Sequence, residues 1–534
     1  MRSSSLGQPV SVVMFYRGGL PHDREAIARA VSAALEQDHQ PVELILVDDR
    51  GSAATLDFLP DSLRSDRRIL HLPGGYPSRA AALNAAIERA GGAYLLLTDG
   101  QLGSVILRRS AVRAMVMAAR RHDRVGMVYA DYARIDPADH TADVHLLDHH
   151  AGRLRDTTDY GPMRLFPTQV LREIGGFDES YATADLYDLR LRIGERHEVI
   201  HVANRRDGAL YAVSAPPGKH NVFDYLLADR PAQLEFERAL TDHLKRTGAY
   251  LAPGAGICEV APWGTQKPGS DRCIASVVIP VNHRPEFIGS AIESVQAQTV
   301  RDIEAIVVVN GGPDDPTIRA VRRYQEAGDR HNPAAPPVRL LVLDVNNIGL
   351  SLNAGIEAAA GAYYVQLDSD DRLKPDAVER MLAVFESDRR IGMVIGSYEV
   401  WDLDPETRRI ARNPDISVVR HEEWTDDNGR NNLLRINGAG APRAAYTRVI
   451  REIGGFGLND VPYCRNYGED YDLVLRISER YRIGRVTEPI YEVIRHPGGT
   501  DHSIDQATID RNDEAKDHMR LEALRRRQVG NRSR

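Results

Sequence analysis

The 534-residue sequence is poor in cysteine, lysine and tryptophan, and it contains no long apolar run. Its three cysteines (Cys258, Cys273, Cys464) are odd in number and show no CxxC spacing, which excludes a disulfide framework and a thiolate zinc site. A reducing cytoplasm is the location this implies. No stretch approaches the ~20 uninterrupted apolar residues of a membrane helix, and Met1 to Pro9 is too short and polar to read as a signal peptide. A basic excess is also missing. With 68 Lys+Arg against 76 Asp+Glu the net charge is -8, so nothing electrostatic calls for a nucleic-acid partner. Lysine occurs five times, never before Lys219, so arginine carries most positive charge. What remains is ordinary for globular chains: 42% hydrophobic and 27% charged residues. At ~100–200 residues per domain the length predicts two to four domains.

The chain repeats itself. Ser11-Val-Val-Met-Phe-Tyr matches Ser276-Val-Val-Ile-Pro-Val, and Val42-Glu-Leu-Ile-Leu-Val matches Ile303-Glu-Ala-Ile-Val-Val. Leu83-Asn-Ala-Ala-Ile-Glu matches Leu352-Asn-Ala-Gly-Ile-Glu. Arg172-Glu-Ile-Gly-Gly-Phe matches Arg451-Glu-Ile-Gly-Gly-Phe, and Tyr187-Asp-Leu-Arg-Leu-Arg matches Tyr471-Asp-Leu-Val-Leu-Arg. The offsets run from 261 to 284 in one order, so two copies of one domain are separated by small insertions.

Within each copy short apolar runs alternate with segments of helical period. That pattern predicts βαβ units and a mostly parallel sheet covered by helices, an α/β fold whose ligands sit in the loops at the carboxyl ends of strands. Residues 1–215 form the first copy and 274–503 the second. Between them, 216–273 reads as a connecting helix over Phe223–Arg246 followed by a Gly- and Pro-rich extended linker. Residues 504–534 read as a helix with a frayed basic tail, Lys516–Arg534.

Tyr363-Tyr-Val-Gln-Leu-Asp-Ser-Asp-Asp is a buried-looking strand ending in three carboxylates within four residues. Such clustering is costly unless a cation offsets it, and Mg²⁺ or Mn²⁺ does so while leaving positions for substrate phosphates. The bland alternative is a solvated turn. A second cluster, Gly468-Glu-Asp-Tyr-Asp, opens a helix. There Asp472 and Arg476, four apart, form a structural pair. Glu469 and Asp470, at the turn itself, are placed to act as a general base, the alternative being acids that complement the helix dipole.

Together these motifs resemble family-2 glycosyltransferases of the GT-A fold over about Ala275–Ser503, and more faintly over Val10–Ser214: Val-Val-Ile-Pro, Asn-Asn-Ile-Gly-Leu-Ser-Leu-Asn-Ala-Gly, Leu-Asp-Ser-Asp-Asp, Gly-Gly-Phe and Gly-Glu-Asp-Tyr-Asp-Leu. The resemblance implies inverting transfer of a sugar from a nucleoside-diphosphate sugar (UDP, GDP or dTDP type) to an acceptor hydroxyl. It places Pro280, Asn282, Asn310, Asn347, Asn353 and Asp368 around the donor, with Asn310 where the family usually has Asp. Asp370 and His496 become metal ligands for Mn²⁺ or Mg²⁺, and Asp470, with Glu469 beside it, the base. Trp424 and Asn437 fall where acceptor-facing loops occur, Trp424 serving either as a stacking platform or as packing. The lack of membrane helices favours a soluble acceptor (peptide, metabolite or glycan) over a lipid-linked one.

In the first copy the same alignment puts Asp99 at Asp368 but Gln101 at Asp370, Leu102 at Asp371, Leu186 at Asp470 and Pro216 at His496. Gln is a poor ligand for a hard cation and Leu accepts no proton. One working domain, the second, is therefore the leading expectation. The alternatives are a non-catalytic nucleotide-sugar or carbohydrate scaffold and a glycan polymerase with two active domains.

Overall fold

In the computed structural model the described residues are 7–16, 24–48, 56, 59–99, 104–136, 138, 140–204, 208–214, 229–261, 273–421, 424–425, 427–436, 438, 440–458, 467–498 and 505–533. The chain divides into two units, Met1–Thr247 and Gly248–Arg534.

Each unit is built around a central strand that is buried and apolar apart from one serine, Ser11 or Ser276, each of which donates to a glutamate of the next strand, because both faces of the sheet are covered. In the first unit this strand is Val10–Tyr16, flanked in parallel by Val42–Asp48 and Tyr94–Asp99. Val12, Leu44 and Leu96 are wholly buried. The sheet runs Glu198–Val202, Val125–Ala130, Met163–Pro167, Tyr94–Asp99, Val10–Tyr16, Val42–Asp48, Ile69–Pro73. A smaller sheet joins Ser104–Leu107, Tyr211–Ser214, Tyr132–Ile135 and Thr141–Val144.

The second unit repeats the plan. Ala275–Val281 lies between Ile303–Val309 and Tyr363–Gln366, again in parallel, with Val338–Val342 at the edge. Beyond Tyr363–Gln366 come the antiparallel Arg443–Tyr446 and then Ile391–Leu403 and Arg482–Arg495, which pair in parallel with each other. Register fixes the correspondence between the copies. Tyr94 faces Pro167 as Tyr363 faces Tyr446, so Arg164 stands where Arg443 does.

The motifs common to both copies bind backbone. Asn353 bonds the N–H and C=O of Phe456 at 2.8 and 2.9 Å, as Asn84 bonds those of Phe177 at 2.8 and 3.0 Å. This close approach explains the glycine pair. Gly455 has φ +75°, and a Cβ there would stand 2.5 Å from the Asn353 Oδ1. Arg476 reaches the carbonyls of Ile453 and Gly455 while pairing with Asp472, just as Arg192 reaches Ile174 and Gly176 while pairing with Asp188. Arg451 and Arg172 cap the carbonyl ends of Ile348–Ala358 and Arg79–Arg89, reaching Ile356 in one copy and Ile87 and Ala90 in the other.

Two connecting segments differ from expectation. The described part of the linker is laid onto the second unit. Leu251 exchanges both backbone groups with the Asn431 amide, and the N–H groups of Cys258 and Val260 donate to Arg480 and Arg389. The helix before it spans Arg230–Thr247 and packs on Asp185–Gly194. The basic C-terminal segment is not a frayed tail. Gln506–Arg532 is one helix, N-capped by Asp505, and Lys516, Arg520 and Arg527 are buried in the second unit. Asp517 and the Arg430 carbonyl receive the Arg520 and Arg527 guanidiniums.

Candidate functional site

At the carboxyl end of Tyr363–Gln366 the chain enters its acidic turn. Two hydrogen bonds tie that turn to the last long strand. The Asp368 N–H donates to the Tyr491 hydroxyl at 3.1 Å, and the Ile494 N–H donates to Asp371 at 2.8 Å. Asp371 is buried and used structurally. The pinning carries His496 to Asp370, with Nε2 and Oδ2 2.9 Å apart. The His496 ring is stacked on Phe287 at 4.3 Å. Arg284, from the loop after Ala275–Val281, places Nη1 on the same Asp370 oxygen and 3.0 Å from His496 Nε2, while Nη2 donates to the Gly498 carbonyl. Asp370, His496 and Arg284 thus converge on one point. Burial and the neighbouring Asp370 charge push the Asp368 carboxyl up to about 6.

The second acidic pair opens the helix Glu469–Ser478. Gly468 precedes it with φ +85°, and a Cβ there would lie 2.8 Å from Met519 Cε. Glu469 is 6% exposed, and its Oε2 has no hydrogen-bond partner among the described residues. Burial, and then the adjacent Asp470 charge, push its carboxyl up to about 8. Asp470 behaves oppositely. Arg443 Nη1 donates to its Oδ2 at 2.5 Å, the Tyr471 N–H donates to Oδ1 at 2.7 Å, and the buried Lys516 ammonium adds positive charge. Against the cost of burial, these partners hold Asp470 below the usual carboxylate range. Its side chain is 31% exposed. Within the pair, burial thus favours the protonated form of Glu469, while its cationic partners favour the ionised form of the partly exposed Asp470.

The asparagines assigned to the donor have other partners. Asn353 is engaged by the Phe456 backbone, and its equivalent Asn84 engages that of Phe177 in the first copy. Asn347 caps the helix Ile348–Ala358, accepting from the Leu350 N–H at 2.8 Å and donating to the Leu458 carbonyl. Each of these two amides makes one accepted and one donated bond to backbone, which leaves a second N–H and a second oxygen lone pair on each. Asn282 and Asn310 are brought together, amide to amide at 2.9 Å, with Asn310 buried and donating to Ser351. Pro280 is buried within its strand, opposite Val308. Trp424 is 7% exposed and its ring lies against Gly429. Asn437 lies outside the described residues.

Sequence reasoning missed Arg284, Arg443 and Lys516 as parts of this site. The register-matched Arg164 was the available signal for Arg443; Lys516 had none, being brought in by a distant helix.

The first unit lacks the equivalent chemistry among its described residues. Asp99 is held by Arg79, which also grips Asp185, the counterpart of Glu469, at 2.6 Å. Leu186 occupies the Asp470 place. Arg17, Gln101, Leu102, Pro216, Lys219 and His220 lie outside the described residues.

The same two regions are matched by one family model, Glycosyl transferase family 2, at residues 11–164 and 276–451. The chain is 24% identical over 519 residues to an uncharacterized glycosyltransferase of Rickettsia felis, covering 93% of this chain and 81% of that one. It is 27% identical over 227 residues to the chondroitin synthase of Pasteurella multocida, covering 42% of this chain and only 21% of that protein's length. Among solved structures, TarS 1–349 of S. aureus in complex with UDP-GlcNAc matches with TM-score 0.34 and 15% identity, over 47% of this chain and 71% of that one. No described helix is long and apolar enough to cross a membrane. With the family model spanning more than half of the chain and repeating in both copies, the protein belongs to glycosyl transferase family 2.

Proposed function

We propose that the second unit transfers a sugar from a nucleoside-diphosphate sugar to an acceptor hydroxyl with inversion, and that the first unit does not catalyse. The observation that carries this reading is the asymmetry of the pair: Arg443 holds an ionised Asp470 in the second unit, whereas Arg164 has Leu186 at that place. Asp470 takes the acceptor proton as the acceptor oxygen bonds to the anomeric carbon. The bond from that carbon to the diphosphate oxygen breaks on the opposite face, and the nucleoside diphosphate leaves with the electron pair. A positioned base of this kind contributes ~10²–10⁴-fold in rate.

The residues present suit a hard divalent cation, Mn²⁺ or Mg²⁺. A carboxylate and an imidazole converge at Asp370 and His496, and the Arg284 guanidinium on that oxygen marks the place as one that stabilises positive charge. When bound, such a cation neutralises charge developing on the departing diphosphate. Arg284 stands beside the same oxygen and is placed to contribute to that neutralisation. The acceptor is proposed as a soluble molecule carrying a free hydroxyl.

Thermal melts with UDP, GDP, dTDP and CDP, each with and without Mn²⁺, test the reading on the intact chain and on Asp370→Ala. One nucleotide is expected to stabilise in a metal-dependent way, by about 2.7 kcal/mol at 100 times its dissociation constant, and Asp370→Ala to abolish the metal dependence. Stabilisation by none of them overturns it.

A further inference from the structure

We propose that the first unit binds a small anionic ligand, a carboxylate or phosphate ester with the bulk of a single ring, through Arg164 at the place its catalytic carboxylate would have held. The inference stands apart from the transferase reading, because it concerns the unit that lacks the base.

The two copies supply the comparison. In the second unit the buried strand arginine uses Nη1 to hold the base carboxylate. In the first, the same nitrogen of Arg164 is buried and has no hydrogen-bond partner among the described residues. A guanidinium donor shut off from water and left unpaired is costly. Arg164 also lines a cavity of about 180 Å³, and so do Leu186, which replaced the carboxylate, and Phe236 from the helix Arg230–Thr247. Thr158 lines it too, with its hydroxyl oxygen equally unpartnered. An apolar cavity of about 150 Å³ accepts one benzene-sized ring, so this space has room for one small ring.

The charges favour an anion. Arg190, a second guanidinium on the wall, is hydrogen-bonded to the carbonyls of Arg153 and Arg155 and the Tyr160 hydroxyl, with no carboxylate among these partners. Asp156 is the sole acid among the lining residues; outside them Asp159 also faces the Arg164 charge, with its own oxygens accepting from the Tyr132 hydroxyl and the Gly161 N–H. Asp99, the nearest acid of the old metal turn, is already gripped by Arg79. An anionic ligand oxygen on Arg164 would restore the pairing that the Leu186 replacement removed, with its ring against Leu186 and Phe236 and a hydroxyl toward Thr158.

Titration calorimetry on the full chain tests this with galacturonate, inorganic phosphate and, as the neutral ring, galactose. At least one anion should bind, with galactose at least tenfold weaker; which anion binds distinguishes carboxylate from phosphate ester. Arg164→Gln and Leu186→Asp should each weaken binding at least tenfold. Leu186→Asp supplies an internal carboxylate to Arg164, so it should do this without lowering the melting temperature, and it decides the matter if Arg164→Gln fails to fold. Binding of neither anion at millimolar concentration, equal binding of galactose, or anion binding unchanged in Leu186→Asp would overturn the proposal.

Discussion

Arg443 Nη1 lies 2.5 Å from Asp470 Oδ2, and this contact separates the two halves of the chain chemically. The arginine is present in both copies, whereas the carboxylate is present in one. A buried cation beside a partly exposed acid keeps that acid ionised, as a base must be before it accepts a proton.

Replacing Arg443 by Gln should therefore raise the Asp470 pKa and shift the acid limb of the pH–rate profile upward. Because the free base is the active form, activity at low pH should fall more than activity at high pH. Asp470→Asn should lose ~10²–10⁴-fold at every pH. A profile that merely scales down without moving would show that Arg443 acts by packing alone.

The Glu469 carboxyl predicts a stability trend. Its folded pKa, about 8, lies above the ordinary value of 4.5. Its contribution is then fully present below about pH 4.5 and is lost as pH rises through 8, at up to ~1.4 kcal/mol per pH unit. Denaturant melts at pH 5 and pH 8 should show a gap that narrows in Glu469→Gln. An unchanged gap would locate the proton elsewhere.

Asn84→Ala and Asn353→Ala should behave as a matched pair. Each leaves the N–H and C=O of a Gly-Gly-Phe turn without the side chain that bonded them, at a cost of about 1–3 kcal/mol. Nucleotide affinity of folded Asn353→Ala should stay within a few-fold of the parent by calorimetry. A hundredfold loss there with no loss of stability would return Asn353 to the donor.

Arg284→Gln should tighten Mn²⁺ binding in the absence of nucleotide, since the guanidinium and the metal compete for one Asp370 oxygen. Calorimetric titration with Mn²⁺ reads this directly. Weaker binding would mean that the arginine orients Asp370 and does not compete for it.

A good part of the molecule was legible beforehand. The central strands announce themselves as largely apolar, valine-rich runs because both faces are covered. The collinear repeats announce two copies, and the acidic turns announce where chemistry gathers. The backbone bonds of Asn347 and Asn353 were not legible, because an amide that binds a ligand and one that binds its own chain are the same residue in the same motif. The Gly-Gly-Phe and Asp-Leu-x-Leu-Arg matches turned out to hold backbone, a role that does not depend on the carboxylates replaced by Gln101 and Leu186 in the first copy.

The sequence alone determined the α/β class, the duplication and the loss of a carboxylate at Leu186, because these depend on residue type and spacing along the chain. Only the tertiary structure decided how the surviving acids are charged. Arg443 lies 27 residues before Asp470, Lys516 is 46 residues after it, and Arg284 is 86 residues before Asp370. Those cations act through distances of a few ångströms that no linear spacing records. The same folding leaves Glu469 Oε2 without a partner among the described residues, and desolvation, which depends on three-dimensional burial, favours the protonated form of that carboxyl.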